Sequence, residues 1–278
     1  MINKPDWLRV SYSENKNTHL INELLNELRL NTVCNEANCP NRIECFSNKT
    51  ATFMILGTIC TRKCSFCNVS HGCPAEVDLD EPARIAAAVA ALDLRYVVIT
   101  SVTRDDLPDG GALHFARVIS AIHDVTKKTA IEVLIPDLTA LKSITDESPN
   151  VISHNIETVA SLYVNVRPEA NYKRSLNVLK IIKQLNPDVM SKSGIMLGLG
   201  ETKDEVYKTF DDLLENGCEL LTIGQYLSPS KNHYPVHEYI TPQAFDEYGV
   251  AARKKGFRHV ASAPLVRSSY HADKALIN

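Results

Sequence analysis

The sequence carries no excess of positive charge. Its 30 Lys and Arg stand against 33 Asp and Glu among 278 residues, for a formal net charge of -3, so the basic footprint of a nucleic-acid-binding protein is missing. Long hydrophobic runs are missing too. The stretch Ile85 to Leu94 is broken by Asp93 and falls short of the roughly 18 apolar residues that a membrane-spanning helix needs. Met1 to Val10 contains Asp6 and Trp7 and lacks the apolar segment of a secretory signal. There is no internal repeat and no low-complexity tract. These absences leave neither nucleic acid nor membrane as a partner and lead us to expect a cytoplasmic protein in a reducing compartment.

Cysteine, by contrast, is concentrated. Six of the eight cysteines crowd between Cys34 and Cys67, while Cys73 and Cys218 stand apart. In a chain with long helical and strand patterns, such clustering suits metal binding better than a disulfide framework. Cys73, followed by Pro74, reads as a loop thiol, and Cys218, ahead of an apolar strand, as a small core residue.

Residues 1–50 read as an N-terminal extension, with a helical run at His19 to Leu30 and a cysteine-bearing loop at Thr32 to Asn48. From Ala51 onward, apolar runs of strand length alternate with amphipathic helical stretches, the signature of βα units and a parallel sheet. The predicted strands are Ala51 to Gly57, Tyr96 to Ser101, Ala130 to Ile135, Val151 to Glu157, Ser193 to Gly198 and Leu220 to Gln225. The predicted helices are Glu81 to Asp93 with Asp80 as N-cap, Leu113 to Val125, Ser175 to Leu185 and Lys203 to Glu215. The expected fold class is α/β: an incomplete (β/α)6 barrel over 51–227, followed by a C-terminal cap over 228–278. Chemistry belongs at the carboxyl ends of such strands.

The end of the first predicted strand carries Cys60-Thr61-Arg62-Lys63-Cys64-Ser65-Phe66-Cys67. Three thiolates in a C-x3-C-x2-C spacing hold three irons of a cubane and leave the fourth iron open. A zinc site would use four protein ligands in paired short spacings. This motif resembles the radical S-adenosylmethionine (SAM) superfamily. The resemblance implies that the open iron chelates the cofactor's methionine moiety and that one electron cleaves the sulfonium to a 5'-deoxyadenosyl radical. Cys60, Cys64 and Cys67 are then both cluster ligands and catalytic.

Upstream, Cys34, Cys39 and Cys45 form a C-x4-C-x5-C triple. With it, the sequence resembles the lipoyl synthase family. So do Asn38-Cys39-Pro40-Asn41, Phe53 to Gly57, Arg104 to Gly111, His154 to Thr158, Val166-Arg167-Pro168, Lys192 to Gly194, Gly198 to Thr202, Gly224 to Leu227 and Arg267 to Asp273. The resemblance implies a second 4Fe-4S cluster, consumed as the sulfur source, with Ser268 of Arg267-Ser268-Ser269-Tyr270 as its fourth ligand. It further implies insertion of two sulfurs, at C6 and C8, into octanoyl-lysine on lipoyl carrier proteins such as H protein or E2 subunits. An electron donor such as flavodoxin or ferredoxin and an iron-sulfur cluster carrier would serve the reaction. Two departures stand out: Asn68, where Asp is expected, and Cys73, where a basic residue is expected. Another radical SAM maturase with an extra cluster, or a non-catalytic iron-sulfur protein, are the competing readings.

Several residues are assigned to the cofactor. Asn155 and Glu157, alternating at the end of the fourth strand, face one side and meet the ribose hydroxyls and ammonium, or else hydrogen-bond structurally. Arg167 meets the cofactor carboxylate. Gly110 and Gly111 let backbone approach the methionine moiety, and Gly198 the adenosine. Phe66 packs on adenine or fills its loop. Arg42, Lys49, Arg62 and Lys63 either attract an acidic carrier or form a solvated charged face.

Overall fold

The computed structural model describes residues 3–10, 15–48, 50–138 and 140–276. Lys49, one of the four basic residues above, lies outside them. The chain divides into two compact units: one of Ser11–Arg62 and Asn68–Ile152, the other of Met1–Val10, Lys63–Cys67 and Ser153–Asn278.

The first unit runs through α1 (Lys16–Glu27), β1 (Asn31–Thr32), α2 (Val33–Glu36), α3 (Arg42–Ser47), β2 (Thr52–Ile55), α4 (Glu81–Ala91), β3 (Tyr96–Ser101), α5 (Ala112–Val125), β4 (Ala130–Leu134) and α6 (Leu141–Asp146). Strand β1 pairs antiparallel with β2, and β2, β3 and β4 pair parallel in that order. All four β2 residues are buried, as expected of parallel strands covered on both faces. Asn15 starts α1 with a capping box that Thr18 completes, which explains why the helix begins before the predicted His19. Asp80 does sit at the N-cap of α4, but its side chain makes no capping bond, and Pro82 in the first turn sets the start.

Strand β5 (Val151–Ser153) falls at the boundary. The second unit then contains α7 (Tyr163–Val166), α8 (Tyr172–Leu185), β6 (Met190–Leu197), α9 (Lys203–Glu215), β7 (Leu220–Gln225), α10 (Pro242–Lys255) and β8 (His259–Ser262). Strands β6, β7 and β8 pair parallel, with Leu197 opposite Gln225 and Ile223 opposite Ser262. Val206, Phe210 and Leu213 of α9 are fully buried, each side chain worth about 2 kcal/mol of transfer free energy. The parallel α/β expectation holds. The six-strand count included neither the two-residue β1 nor β8, a four-residue strand that follows α10 in the segment expected to be a cap.

Two strand ends depart from the expected pattern. The predicted strand Val151 to Glu157 stops at Ser153. His154 N donates to Lys192 O at 2.9 Å, Asn155 and Ile156 then leave the ladder, and Glu157, at φ 66°, returns to bridge Ile195. Ile156 N is satisfied instead by Ser193 Oγ at 3.0 Å. In the first unit, Leu56 at φ 67° turns the chain out of β2. Its N–H donates to Glu81 Oε2 at 2.9 Å, and its carbonyl accepts from Arg104 Nη1 at 3.1 Å.

Gly224 of β7 has no room for a side chain, since a Cβ there would lie 2.1 Å from Val266 O. Gly256, at φ 122°, has nothing within 4 Å of that position. Gly224→Ala is therefore expected to lower stability by about 2–3 kcal/mol through overpacking, and Gly256→Ala by only about 1 kcal/mol through backbone strain. Urea denaturation of both variants measures this, and equal losses would contradict the close approach of Val266 to β7.

Candidate functional site

In the first unit the Cys34-Cys39-Cys45 triple is built by two short helices. Cys34 lies on α2, Cys39 in the turn after it, where its N–H donates to Cys34 O at 3.0 Å, and Cys45 on α3. Burial pushes the Cys34 thiol up to about 11 and the Cys45 thiol up to about 12. Repulsion from neighbouring cysteines adds to both shifts, Cys39 acting on Cys34 and both Cys34 and Cys39 on Cys45. Buried thiols that disfavour one another's ionisation are costly as bare anions and suited to a metal group that neutralises them. Among the described residues no three His, Cys, Asp or Glu side chains converge where one metal ion would sit. A cubane requires no such point, because each thiolate takes a different iron. The donor set therefore fits a cluster.

Asn68 donates from Nδ2 to Glu36 O at 2.8 Å, between Cys34 and Cys39 in sequence. An ionised aspartate has no hydrogen to donate, which gives the departure from Asp at this position a structural role.

The C-x3-C-x2-C motif has Cys60 in the first unit and Cys64 and Cys67 in the second. Cys60 N donates to Ser70 O and Cys60 O accepts from Gly72 N, and its sulfur accepts from Arg62 N at 3.4 Å and Thr103 N at 3.3 Å. The Arg62 guanidinium does not face solvent. Its side chain is 10% exposed and ion-paired with Asp105 at 2.7 Å and Asp137 at 2.5 Å. Its charge is spent inside the protein, which corrects its assignment to a carrier-attracting face. Arg42 and Lys63 are exposed.

In the second unit, Cys67 N donates to Cys64 O at 3.1 Å, and His233 Nε2 lies 3.1 Å from Cys67 O. Ser65 N donates to Val166 O and Ser65 O accepts from Tyr234 N. These bonds seat Phe66 against the buried cluster of Val166, Leu199 and Tyr226, so the Phe66 ring has an apolar packing role within its loop.

Asn155 is the centre of the polar site. Both its amide hydrogens are used, one on Glu157 Oε1 at 3.0 Å and one on Ser268 Oγ at 2.7 Å. Its side-chain oxygen, Oδ1, is buried with no hydrogen-bond partner. Such an orphaned acceptor costs on the order of 1–3 kcal/mol unless a ligand supplies a donor. Burial pushes the Glu157 carboxyl above its ordinary value, against the pull of Arg167, Asn155 and His154. Arg167 is fixed by Nη1 bonds to Asn155 O and Tyr163 Oη, both at 3.0 Å, and stacks over the Tyr163 ring. Asn155 and Glu157 thus do meet, through the bulge rather than through strand alternation.

No local sequence pattern signals what delivers Ser268. Strand β8 and the close pass of Val266 over Gly224 lead the chain there, with Ala263 N on Ile223 O and Gln225 N on Pro264 O. No local pattern signals the role of Gln225 either. Its Nε2 lies within 3.1 Å of Leu197 O, Tyr226 O and Glu238 O, which share its two hydrogens, and its Oε1 accepts from Ile240 N. The three glycines have packing reasons for being glycine. A Cβ at Gly110 would meet Leu138, one at Gly111 would meet Leu56, and one at Gly198 would meet Gln225 and Glu238 O. Gly198 N donates to the Glu201 carboxylate. Cys73 is exposed and Cys218 buried, as expected.

A C-x3-C-x2-C motif following the first parallel strand of an α/β chain is the arrangement of the radical SAM class of enzymes. The profile of the Radical SAM superfamily matches residues 54–213. A crystal structure of Streptococcus suis SuiB bound to S-adenosylmethionine is similar in fold, with a TM-score of 0.60 at 11% identity over 80% of this chain and 54% of that one. Relatives in sequence are far nearer. The chain is 54% identical to a lipoyl synthase of Alkaliphilus metalliredigens over 98% of its own length and 96% of the relative's. It is 55% identical to one of Caldicellulosiruptor saccharolyticus over 98% and 96%. The chain belongs to the lipoyl synthase family. No helix among the described residues is long and apolar enough to cross a membrane.

Because the folded state favours the protonated Glu157, ionisation at neutral pH works against folding. Glu157→Gln is expected to raise the melting temperature of the ligand-free protein at pH 7. The gap should close as pH falls through the raised pKa toward the ordinary 4.5. Thermal melts across that range measure it, and a gap independent of pH would contradict the assignment.

Proposed function

We propose that this chain inserts two sulfur atoms, at C6 and C8, into an octanoyl group carried on a lysine of a lipoyl carrier protein. The observation that carries the reading is the pair of cysteine triples, C-x4-C-x5-C and C-x3-C-x2-C, in a chain 54% identical over almost its whole length to a lipoyl synthase. Cys60, Cys64 and Cys67 hold a 4Fe-4S cluster with one open iron, and Cys34, Cys39, Cys45 and Ser268 hold a second. When bound, the first cluster and S-adenosylmethionine supply a 5'-deoxyadenosyl radical able to abstract hydrogen from an unactivated carbon, and the second cluster supplies sulfur.

The residues of the chain bind and orient these groups. The unpartnered Asn155 oxygen accepts a hydrogen bond from a ribose hydroxyl or the ammonium, and Glu157 pairs with cofactor positive charge. Arg167, anchored on Asn155 O and Tyr163, meets the cofactor carboxylate. Phe66, Gly110, Gly111 and Gly198 form the cofactor-facing backbone and loop. Asn155 Nδ2 donates to Ser268 Oγ, a bond that favours the deprotonated oxygen a metal ligand must present. Ser268 supplies a harder donor than thiolate and is the corner most readily released.

Exposed Arg42 and Lys63 favour an acidic docking surface on the carrier, of which H protein and E2 subunits are the expected forms. A flavodoxin or ferredoxin supplies electrons, an iron-sulfur carrier renews the second cluster, and the setting is the cytoplasm.

Anaerobic reconstitution is expected to load about eight irons per chain, since each triple builds one four-iron cubane; a ceiling near four on iron analysis counts against two clusters. Replacing Cys34, Cys39 and Cys45 by Ala should leave 5'-deoxyadenosine release intact and abolish the two-sulfur mass gain on an octanoyl-lysyl peptide. Ser268→Ala should behave similarly, and Ser269→Ala more mildly. Full product from Ser268→Ala would remove Ser268 from the ligand set.

A further inference from the structure

Two residues inside the C-x3-C-x2-C motif are not ligands, yet both are tied to neighbouring strand ends. Arg62 makes a forked contact with Asp105, Nε to Oδ2 at 2.8 Å and Nη2 to Oδ1 at 2.7 Å, while its Nη1 reaches Asp137 Oδ2 at 2.5 Å. Asp105 follows β3 and Asp137 follows β4. The Asp137 side chain is 2% exposed, so losing the pair would remove a cation from beside a buried carboxylate.

Thr61 works on the same point. Its N–H donates to Thr103 O at 3.0 Å. Its hydroxyl lies 3.0 Å from both Thr103 O and Asp105 Oδ2 and accepts from Asp105 N at 3.1 Å. The consequence falls on Cys60, whose sulfur receives the backbone N–H groups of Arg62 and Thr103.

We infer that Thr61 and Arg62, through Asp105 and Asp137, are positioning residues that hold two backbone N–H donors on the Cys60 sulfur and so make the cluster it ligates easier to reduce. Hydrogen bonds to the sulfurs are one lever on the potential of such clusters. They favour the more negative, reduced state, because a donor stabilises added electron density on the sulfur. The clamp matters because two separate backbone segments must be kept on one atom. Arg62 suits it better than Lys would, since a planar fork grips Asp105 bidentately while a third nitrogen spans to Asp137. The inference rests on the proposed role of Cys60 as a ligand.

The test is an EPR-monitored redox titration of the reconstituted enzyme, following the reduced-cluster signal that changes on addition of S-adenosylmethionine. Arg62→Lys, which keeps the charge, and Thr61→Val, which leaves it unaltered, should each move the midpoint negative. The expected drop in reduced-to-oxidised ratio at fixed potential is about tenfold, or roughly 59 mV for a one-electron couple. Thr61→Ser, which retains the hydroxyl, should titrate as wild type. Hydrogen exchange on the ligand-free protein should show the Arg62 and Thr103 amides exchanging faster in Thr61→Val than in Thr61→Ser. If Arg62→Lys fails to assemble, the Thr61 pair decides. An unchanged midpoint in Thr61→Val at full iron content overturns the inference alone, whereas a wild-type protein with no signal responsive to S-adenosylmethionine overturns Cys60 ligation and the inference with it.

Discussion

Parallel strands that end inside a protein leave backbone N–H and C=O groups that must find partners where no water reaches. In this chain, buried side chains meet that demand at the strand ends where its chemistry is gathered. At the end of β2, Leu56 turns through a positive φ with Glu81 on its amide and Arg104 on its carbonyl. At the end of β7, the Gln225 amide shares its two hydrogens among three carbonyls and accepts one N–H. After β6, Glu201 accepts from Gly198 and Leu199. These contacts fix the direction in which each loop leaves the sheet, and the functional residues follow from those directions.

A second consequence concerns charge. The polar groups around Asn155 and Glu157 are not mutually satisfied, because one carbonyl oxygen has no partner and one carboxyl is held where burial opposes its ionisation. The thiols of the N-terminal triple are likewise raised by burial and by each other. Both arrangements are costly in the bare protein, and binding a cation or a metal group relieves that cost. Arg62, Asp105 and Asp137 differ, because their charges are already paired and their role is to hold the chain in place.

Much of the fold was legible because periodicity and caps are local. The bounds of β3, β7 and α9 agree with the pattern to the residue, where a continuous apolar run or a Thr202–Glu205 capping box leaves little freedom. The strand after Val151 was misjudged in length, because a bulge is set by the partner strand and by Ser193 Oγ rather than by the residues that bulge. Strand β8 is not legible because four residues after a helix carry too little pattern, and it is pairing with β7 that makes them a strand.

The sequence by itself determined which residues could carry chemistry. Cysteine spacing is a local property of the chain, and six clustered thiols suit metal binding better than disulfides whatever the fold around them. Only the tertiary structure decided which polar residues remained available. Arg62 looked like a free surface cation until two aspartates from other strand ends took up its charge. Phe66 gained a packing surface on Val166, Leu199 and Tyr226, and Ser268 came to Asn155 from 113 positions away. The reason is physical: ion pairing and desolvation depend on distances between residues remote in sequence, which no local pattern encodes.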